Sequence, residues 1–536
     1  MRNIARTAAA ALTVVAALAA PVTAQITTAR VAGGEVSGVR ADDIAVFKGI
    51  PFAAPPVGAN RWRAPQPVKP WAGVLAADHQ PAACMQDEKF VRAFGDTTPL
   101  SEDCLYLNVY TPAHKMGEKL PVMVWIYGGG FALGGTALYN GTNIAKKGVV
   151  FVSVAYRVGP LGFMGHPELT REGHGSSGNY GLRDQIAGLK WVKANIAKFG
   201  GDSQNVTIFG ESAGGISVSM LAASPLAKGL FHKAISESGG NFGPAQHGDF
   251  NALKDASDLS ANGGVFMRTR ASAEHQGVAL LNTLHVKTIA QARKLAASEI
   301  EAYVGPMGTF WPSFDGQVLI GDQYRLYQQG RYNDTPVLIG TNSDEGALFM
   351  PPRVAAVDYK NGIRKGYGRK AEAVLAAYPA ADDAQAKRSS AGIFEETAFA
   401  WPTWAWARLQ SARHKNPVYV YYFDHKTPWG PNGSWHGSEI KYVFDQLGPT
   451  PGPVPYAPPT ADDHRIADAF ITYWVNFART GNPNGDDLPK WTPFSSANPR
   501  YMEIGDAPGM IDVPNLAKLK VWEDYYAWRR NGAVER

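Results

Sequence analysis

Residues 206–223 run Val-Thr-Ile-Phe-Gly-Glu-Ser-Ala-Gly-Gly-Ile-Ser-Val-Ser-Met-Leu-Ala-Ala. The β-branched and aromatic start, Val206–Phe209, predicts a buried strand, and the small-residue run Ala213–Ala223 predicts a helix. Only Gly210, Glu211 and Ser212 separate them. A strand that becomes a helix in so few residues must bend sharply at Ser212, with strained backbone there and no room for side chains two residues before and after it. Gly210 and Gly214 occupy both places. Such a turn lifts a hydroxyl clear of a sheet edge and sets it at a helix start, where the Ala213 N–H is one of the donors that lack an intrahelical partner. Glycine makes up 57 of 536 residues, so Gly-x-Ser-x-Gly alone arises by chance. The strand before it and the helix after it make Ser212 a candidate nucleophile.

The strand at Val206–Phe209 has company. Leu105–Tyr110, Val122–Tyr127, Val149–Tyr156, Lys233–Ser236, Val337–Ile339 and Val418–Phe423 are short apolar runs bounded by breakers, and helical spacing appears between some of them, as in Leu182–Phe199. Buried strands alternating with helices predict an α/β fold around a mostly parallel sheet with both faces covered. From about Gln246 to Gln329 the rhythm breaks into a polar, helix-like stretch, read either as an insertion that caps the sheet's ligand-binding edge or as ordinary peripheral packing. Gly448–Thr460, GPTPGPVPYAPPT, has too many prolines for a helix and predicts a stiff loop. Asp462–Arg479 predicts the last clear helix.

At the N-terminus Arg2 and Arg6 precede an apolar run from Ala8 to Ala20 and small residues at Val22-Thr23-Ala24. Residues 1–24 read as a secretory signal peptide, too short for a stable membrane span. Its removal takes the formal charge from +5 to +3. Scattered lysines and arginines build no basic stripe, so nucleic acid is not expected as a partner. The two cysteines, Cys84 and Cys104, are expected to pair outside the cytoplasm. No linker, charge block or repeat divides residues 25–536, which read as one large domain. Oligomeric state stays open.

A serine hydroxyl needs a base to take its proton, and the negative oxygen formed by attack needs donors. Trp125-Ile126-Tyr127-Gly128-Gly129-Gly130-Phe131 ends a strand in three glycines, whose bare amides suit an oxyanion. With the chain order serine, acid, histidine, the histidines left are His414, His425, His436 and His464. His425 and His436 both fall in the loop after Val418–Phe423, and spacing does not separate them. The acid belongs after Val337–Ile339, where Asp344 and Glu345 are both candidates.

These segments resemble the type-B carboxylesterase and lipase family of α/β hydrolases, which includes the cholinesterases. The likeness covers nearly the whole mature chain. It is carried by Phe47-Lys48-Gly49-Ile50-Pro51-Phe52-Ala53, by Ser101–Tyr110, by Tyr127–Phe131, by Ala155–Gly159, by Gly178–Gly215 and by His436-Gly437-Ser438-Glu439-Ile440. The resemblance implies an α/β-hydrolase fold and a carboxylic-ester hydrolase acting on a small-molecule ester without metal or organic cofactor. It favours Glu345 over Asp344 and His436 over His425. It places oxyanion donors on Gly129, Gly130 and Ala213, a disulfide on Cys84–Cys104, a buried carboxylate on Glu211 and a supporting hydroxyl on Ser238. Lipases and amidases share the fold, and some relatives serve in adhesion without the nucleophile. The cholinesterase tryptophan that stacks on choline has no counterpart here, because Met85–Asp103 holds Phe90 and Phe94 but no Trp. Choline recognition of that kind is therefore not expected. Phe131, Phe310, Trp311, Phe314 and Trp401 are candidate pocket residues, with plain core packing as the alternative for large aromatics.

Overall fold

The computed structural model describes residues 26–244, 267–302, 309–428, 430, 432–449 and 456–531. The signal peptide read at 1–24 lies outside these residues, as do parts of the Gln246–Gln329 stretch and of the proline-rich loop.

Eleven strands form the main sheet of the described residues. In chain order they are β1 (Val39–Ala41), β2 (Ile44–Pro51), β3 (Tyr106–Thr111), β4 (Leu120–Ile126), β5 (Val150–Val154), β6 (Gly201–Glu211), β7 (Lys233–Glu237), β8 (Val337–Asn342), β9 (Val418–Asp424), β10 (Arg500–Gly505) and β11 (Gly509–Asp512). Across the sheet the order is β11-β10-β9-β8-β7-β6-β4-β5-β3-β2-β1. The centre, from β5 through β10, is parallel. Both edges are antiparallel, β5-β3-β2-β1 on one side and β10-β11 on the other. The seven apolar runs of the sequence are the central strands and β3. The outer strands β1, β2, β10 and β11 escaped that reading: β1 and β11 have no buried residue, and in β2 and β10, though most residues are buried, Lys48 and the pair Arg500 and Glu503 break the apolar pattern.

Helices α1 (Tyr180–Asn195) and α2 (Ala213–Ala223) cover the sheet beside β6. α2 has the bounds its small residues predict, and every residue in it is buried. That explains the composition: a helix buried on all sides next to a sheet needs slim side chains. α1 ends in a 3-10 turn, Ile196–Phe199, closed by Gly200 at φ +79°. Buried Asp184 of α1 holds Arg157 in a bidentate pair, Nε to Oδ2 at 2.8 Å and NH2 to Oδ1 at 2.7 Å. This anchors the loop after β5. In the Gln246–Gln329 stretch, Arg270–Thr283, Ile289–Ala292, Ala297–Glu301 and Gln323–Gln328 are helical, in line with its helix-like sequence.

Parallel register aligns the strand ends that matter. Glu211 pairs with Glu237, Glu237 with Gly340, and Asn342 with Phe423. The ladder continues past them, with Ser212 N–H donating to Glu237 O and Ser238 N–H to Gly340 O, both at 2.9 Å. Ser212, Ser238, Glu345 and the His436 loop thus leave the same edge of one rigid sheet.

Cys84 and Cys104 form a disulfide across 20 residues of sequence. A closed loop of that size stabilises by about 3 kcal/mol through the entropy of the unfolded chain. Replacing both cysteines with alanine is expected to lower the unfolding free energy by roughly that amount, measured by urea denaturation. An unchanged midpoint would contradict it.

Candidate active site

Ser212 lies at φ +54°, ψ −123°, between the end of β6 and the first turn of α2. No relaxed region of backbone space holds a serine there, so the surroundings must impose it. The neighbouring strand imposes it. A Cβ on Gly214 would stand 1.9 Å from the Ile126 carbonyl oxygen of β4, and one on Gly210 would stand 2.4 Å from the same atom and 2.7 Å from the Gly214 carbonyl carbon. The two glycines are therefore required by β4 as well as by each other.

Glu345 and His436 meet at this serine. The Ser212 hydroxyl is 2.9 Å from His436 Nε2, and His436 Nδ1 is 2.6 Å from Glu345 Oε2. A carboxylate on Nδ1 requires a proton on that nitrogen and leaves Nε2 free to accept from the serine. Glu345 is fully buried. Its other oxygen accepts the Asn342 N–H at 2.7 Å and the Ser238 hydroxyl at 2.5 Å. The two loops are stitched together: Asn342 Nδ2 donates to the Trp435 carbonyl at 3.1 Å, and Asp344 N–H to the Ser434 carbonyl at 2.9 Å.

The pairs that spacing left open are separated by these contacts. His425 is buried between Asp506 (2.5 Å) and Asp463 (3.2 Å), with the Tyr442 hydroxyl donating to Asp463. It braces the base of the loop. Asp344 carries a backbone bond to that loop and makes no bond to His436 among the described contacts. Trp401 donates to Glu523 and packs edge-on against Tyr526 of the C-terminal helix, so it belongs to the core. Trp311 does reach the glycine loop, with its ring 4.7 Å from that of Phe131.

The glycine loop presses against the elbow. A Cβ on Gly128 would meet the Glu211 carbonyl oxygen and Oε2 at 2.7 Å and Ser212 Cβ at 3.1 Å. Gly129, Gly130 and Phe131 follow at φ +106°, +61° and +56°. The Phe131 carbonyl is held by the Gly159 N–H at 2.7 Å, two residues beyond the Arg157 anchor.

Carboxylates crowd the imidazole. Glu211 Oε1 is 3.2 Å from His436 Nε2. Burial pushes the Glu211 carboxyl up to about 7; the His436 charge opposes that shift and the Glu345 charge adds to it. Burial also raises Glu237 to about 8, against the bond it accepts from Trp474. Glu439, buried and bonded to Asn342 Nδ2 at 2.5 Å, is driven well above the usual carboxylate range by burial and by its acidic neighbours. For His436, burial lowers the pKa, but Glu211 and Glu345 outweigh it and the net shift is upward. Glu237 and Glu439 were not singled out from sequence; the Glu of His-Gly-Ser-Glu was visible as a motif letter, without a contact to explain it.

Among the described residues no group of three or more His, Cys, Asp and Glu is placed to hold a metal, and no helix is long and apolar enough to cross a membrane.

A parallel sheet that brings a serine hydroxyl, an imidazole and a carboxylate together from successive strand ends, with the serine on a strand-to-helix elbow, is that of an α/β hydrolase. Comparison with known proteins narrows the class. The sequence model of the Carboxylesterase family matches residues 21–522. Fumonisin B1 esterase of Sphingopyxis macrogoltabida is 36% identical over 502 residues, covering 90% of this chain and 88% of its own. Para-nitrobenzyl esterase of Bacillus subtilis (strain 168) is 35% identical over 470 residues, covering 84% and 89%. A solved structure of a thermophilic para-nitrobenzyl esterase superposes with a TM-score of 0.80 at 30% identity, over 93% of this chain and all of that one. The chain belongs to the carboxylesterase family, and its enzymatic class is carboxylic ester hydrolase.

Gly128 tests the close approach of loop and elbow. Gly128→Ala is expected to fold and to lose about 10²-fold in ester turnover, the scale of losing one oxyanion donor. Full activity in the variant would show that the loop has room to spare.

Proposed function

We propose that the protein hydrolyses small carboxylic esters through an acyl-enzyme on Ser212, within one hydrolase domain spanning residues 25–536. The observation that carries this reading is the chain of two hydrogen bonds from Ser212 through His436 to Glu345. His436 takes the serine proton as Oγ attacks the ester carbonyl. The amides of Gly129, Gly130 and Ala213 hold the oxyanion, which forms at the start of α2. His436 then gives its proton to the departing alcohol, leaving the acyl group on Ser212. Water repeats the sequence and frees the acid. Glu345 keeps the imidazole in the required tautomer and stabilises the imidazolium, with the Ser238 hydroxyl and Asn342 N–H orienting its carboxylate. Glu211, on the Nε2 side, adds a second partial charge to that stabilisation.

Export from the cytoplasm is part of the proposal. The leader-like residues 1–24 and the disulfide between Cys84 and Cys104 support it.

Ser212→Ala is expected to reduce turnover of a nitrophenyl ester by about 10⁶-fold, with the fold intact by circular dichroism. Near-normal turnover in that variant would end the proposal.

The pH dependence follows from the sign of the His436 shift. The imidazole acts as base only when neutral, and its pKa is raised above 6.5. The rate constant kcat/KM should therefore fall with decreasing pH through a value above the ordinary histidine range. Because Glu211 titrates nearby and interacts with it, the limb belongs to the pair. Glu211→Gln removes a charge that favours the imidazolium, so the acid limb is expected to move to lower pH. A limb that stays in place, or moves up, would contradict the electrostatic role of Glu211.

A further inference from the structure

The helix Asp383–Glu395 does not run straight into its successor Trp401–Ser411. Between them Glu396–Ala400 forms a π-helical turn, with the Trp401 N–H bonded to the Glu396 carbonyl five residues back. The next residue is Pro402, which has no N–H to give and whose ring clashes with the carbonyl four residues earlier in a regular helix. Widening the turn accommodates it. Wide turns of this kind redirect side chains and recur at functional sites. Here the redirected side chain is Phe399, whose ring lies 4.5 Å from the His436 imidazole at 25° between planes. Phe399 belongs to a small apolar cluster with Phe394 and Ala398, separate from the main core, against which Phe349 and Met350 pack. Phe349 touches the imidazole too, more loosely, at 5.1 Å and 56°. The near-parallel Phe399 ring covers one face of the imidazole while both ring nitrogens are already engaged at the edge.

We propose that Phe399 is a positioning residue for His436: its ring face fixes the plane of the imidazole against Ser212 and favours the imidazolium formed during attack. This inference rests on the reading of His436 as the general base. A cation over an aromatic face is stabilised by the ring quadrupole, more so where water is excluded, and Phe399 is only 4% exposed. The other groups facing the imidazole are Glu345 at Nδ1, Glu211 and the Ser212 hydroxyl at Nε2, and the uncharged ring of Phe349. From the turn itself, Glu396 faces Trp522 and Lys518, and Glu395, at the end of the preceding helix, sits in the field of Glu345. The positive charge at His436 thus has carboxylates along its edge and an aromatic face on its flank.

The test uses the full chain with Phe399→Leu, Phe399→Met and Phe399→Tyr, alongside His436→Ala. Leu and Met keep an apolar filling but remove the ring face; Tyr keeps it. In the Leu and Met variants kcat is expected to fall about tenfold, on the scale of a slightly misplaced catalytic group. The acid limb of kcat/KM is expected to move about half a unit to lower pH. The Tyr variant should restore both. A Leu or Met variant that loses thermal stability and rate but keeps the wild-type acid limb would reduce Phe399 to packing and overturn the inference, as would wild-type kcat and limb in both. If His436→Ala is inactive while the Phe399 variants are unchanged, the inference fails and the triad stands. If His436→Ala retains turnover, both fall.

Discussion

The elbow at Ser212 is the constraint on which the rest depends. Its backbone lies where serine does not rest by choice, and β4 leaves no alternative: the Ile126 carbonyl fills the space that any side chain at Gly210 or Gly214 would need. Strain of this sort persists only when surrounding structure over-determines it. A fully buried α2 on one side and the ladder from Ser212 to Glu237 on the other supply that over-determination. The outcome is a hydroxyl held at the N-terminus of a helix, 2.9 Å from His436 Nε2. Under the proposed mechanism, reactant positioning and oxyanion stabilisation come from this one local geometry.

Electrostatics form a second layer on that frame. The His436 imidazole sits in the field of Glu211 and Glu345, which favours positive charge; Glu439 interacts with both of those carboxyls and Glu237 with Glu211. Burial drives Glu439 well above the usual carboxylate range and raises Glu211 to about 7 and Glu237 to about 8. Glu345 is the carboxyl bonded directly to His436, and its second oxygen accepts from Asn342 and Ser238. Interacting groups of this kind titrate together, which is why the behaviour of His436 is a property of the cluster.

Local sequence made the elbow legible because sharp bends demand particular residues at particular offsets. The central strands were legible for a similar reason: strands buried on both faces are apolar runs, and β4, β7, β8 and β9 lie within three residues of their sequence-based bounds, while β6 contains Val206–Phe209 but begins five residues earlier, at Gly201, in a polar stretch. The outer strands were not: β1 and β11 bury no residue, and β2 and β10 carry charged residues, Lys48 and Arg500 with Glu503, that break an otherwise apolar pattern. Choosing His436 over His425 and Glu345 over Asp344 was beyond spacing, because each pair sits in one loop and only the fold's third dimension assigns a partner. Family resemblance supplied the choice; in the structure His436 lies 2.9 Å from the Ser212 hydroxyl and 2.6 Å from Glu345. Phe399 lay out of reach altogether. Its place depends on how a proline at 402 is absorbed by a wider turn, and the one local clue was Pro402 in an otherwise helical run. Trp401, a pocket candidate by size, proved to be core because its partners, Glu523 and Tyr526, come from the far end of the chain.

The most direct test of the central claim is to trap the covalent intermediate. Rapid quenching during the burst phase with an acyl nitrophenyl ester, followed by proteolysis and tandem mass spectrometry, would locate the acyl group. The expected result is one acyl group per chain, on Ser212. A clear burst with the acyl group on another residue, or steady turnover with no covalent adduct at any quench time, would contradict the account.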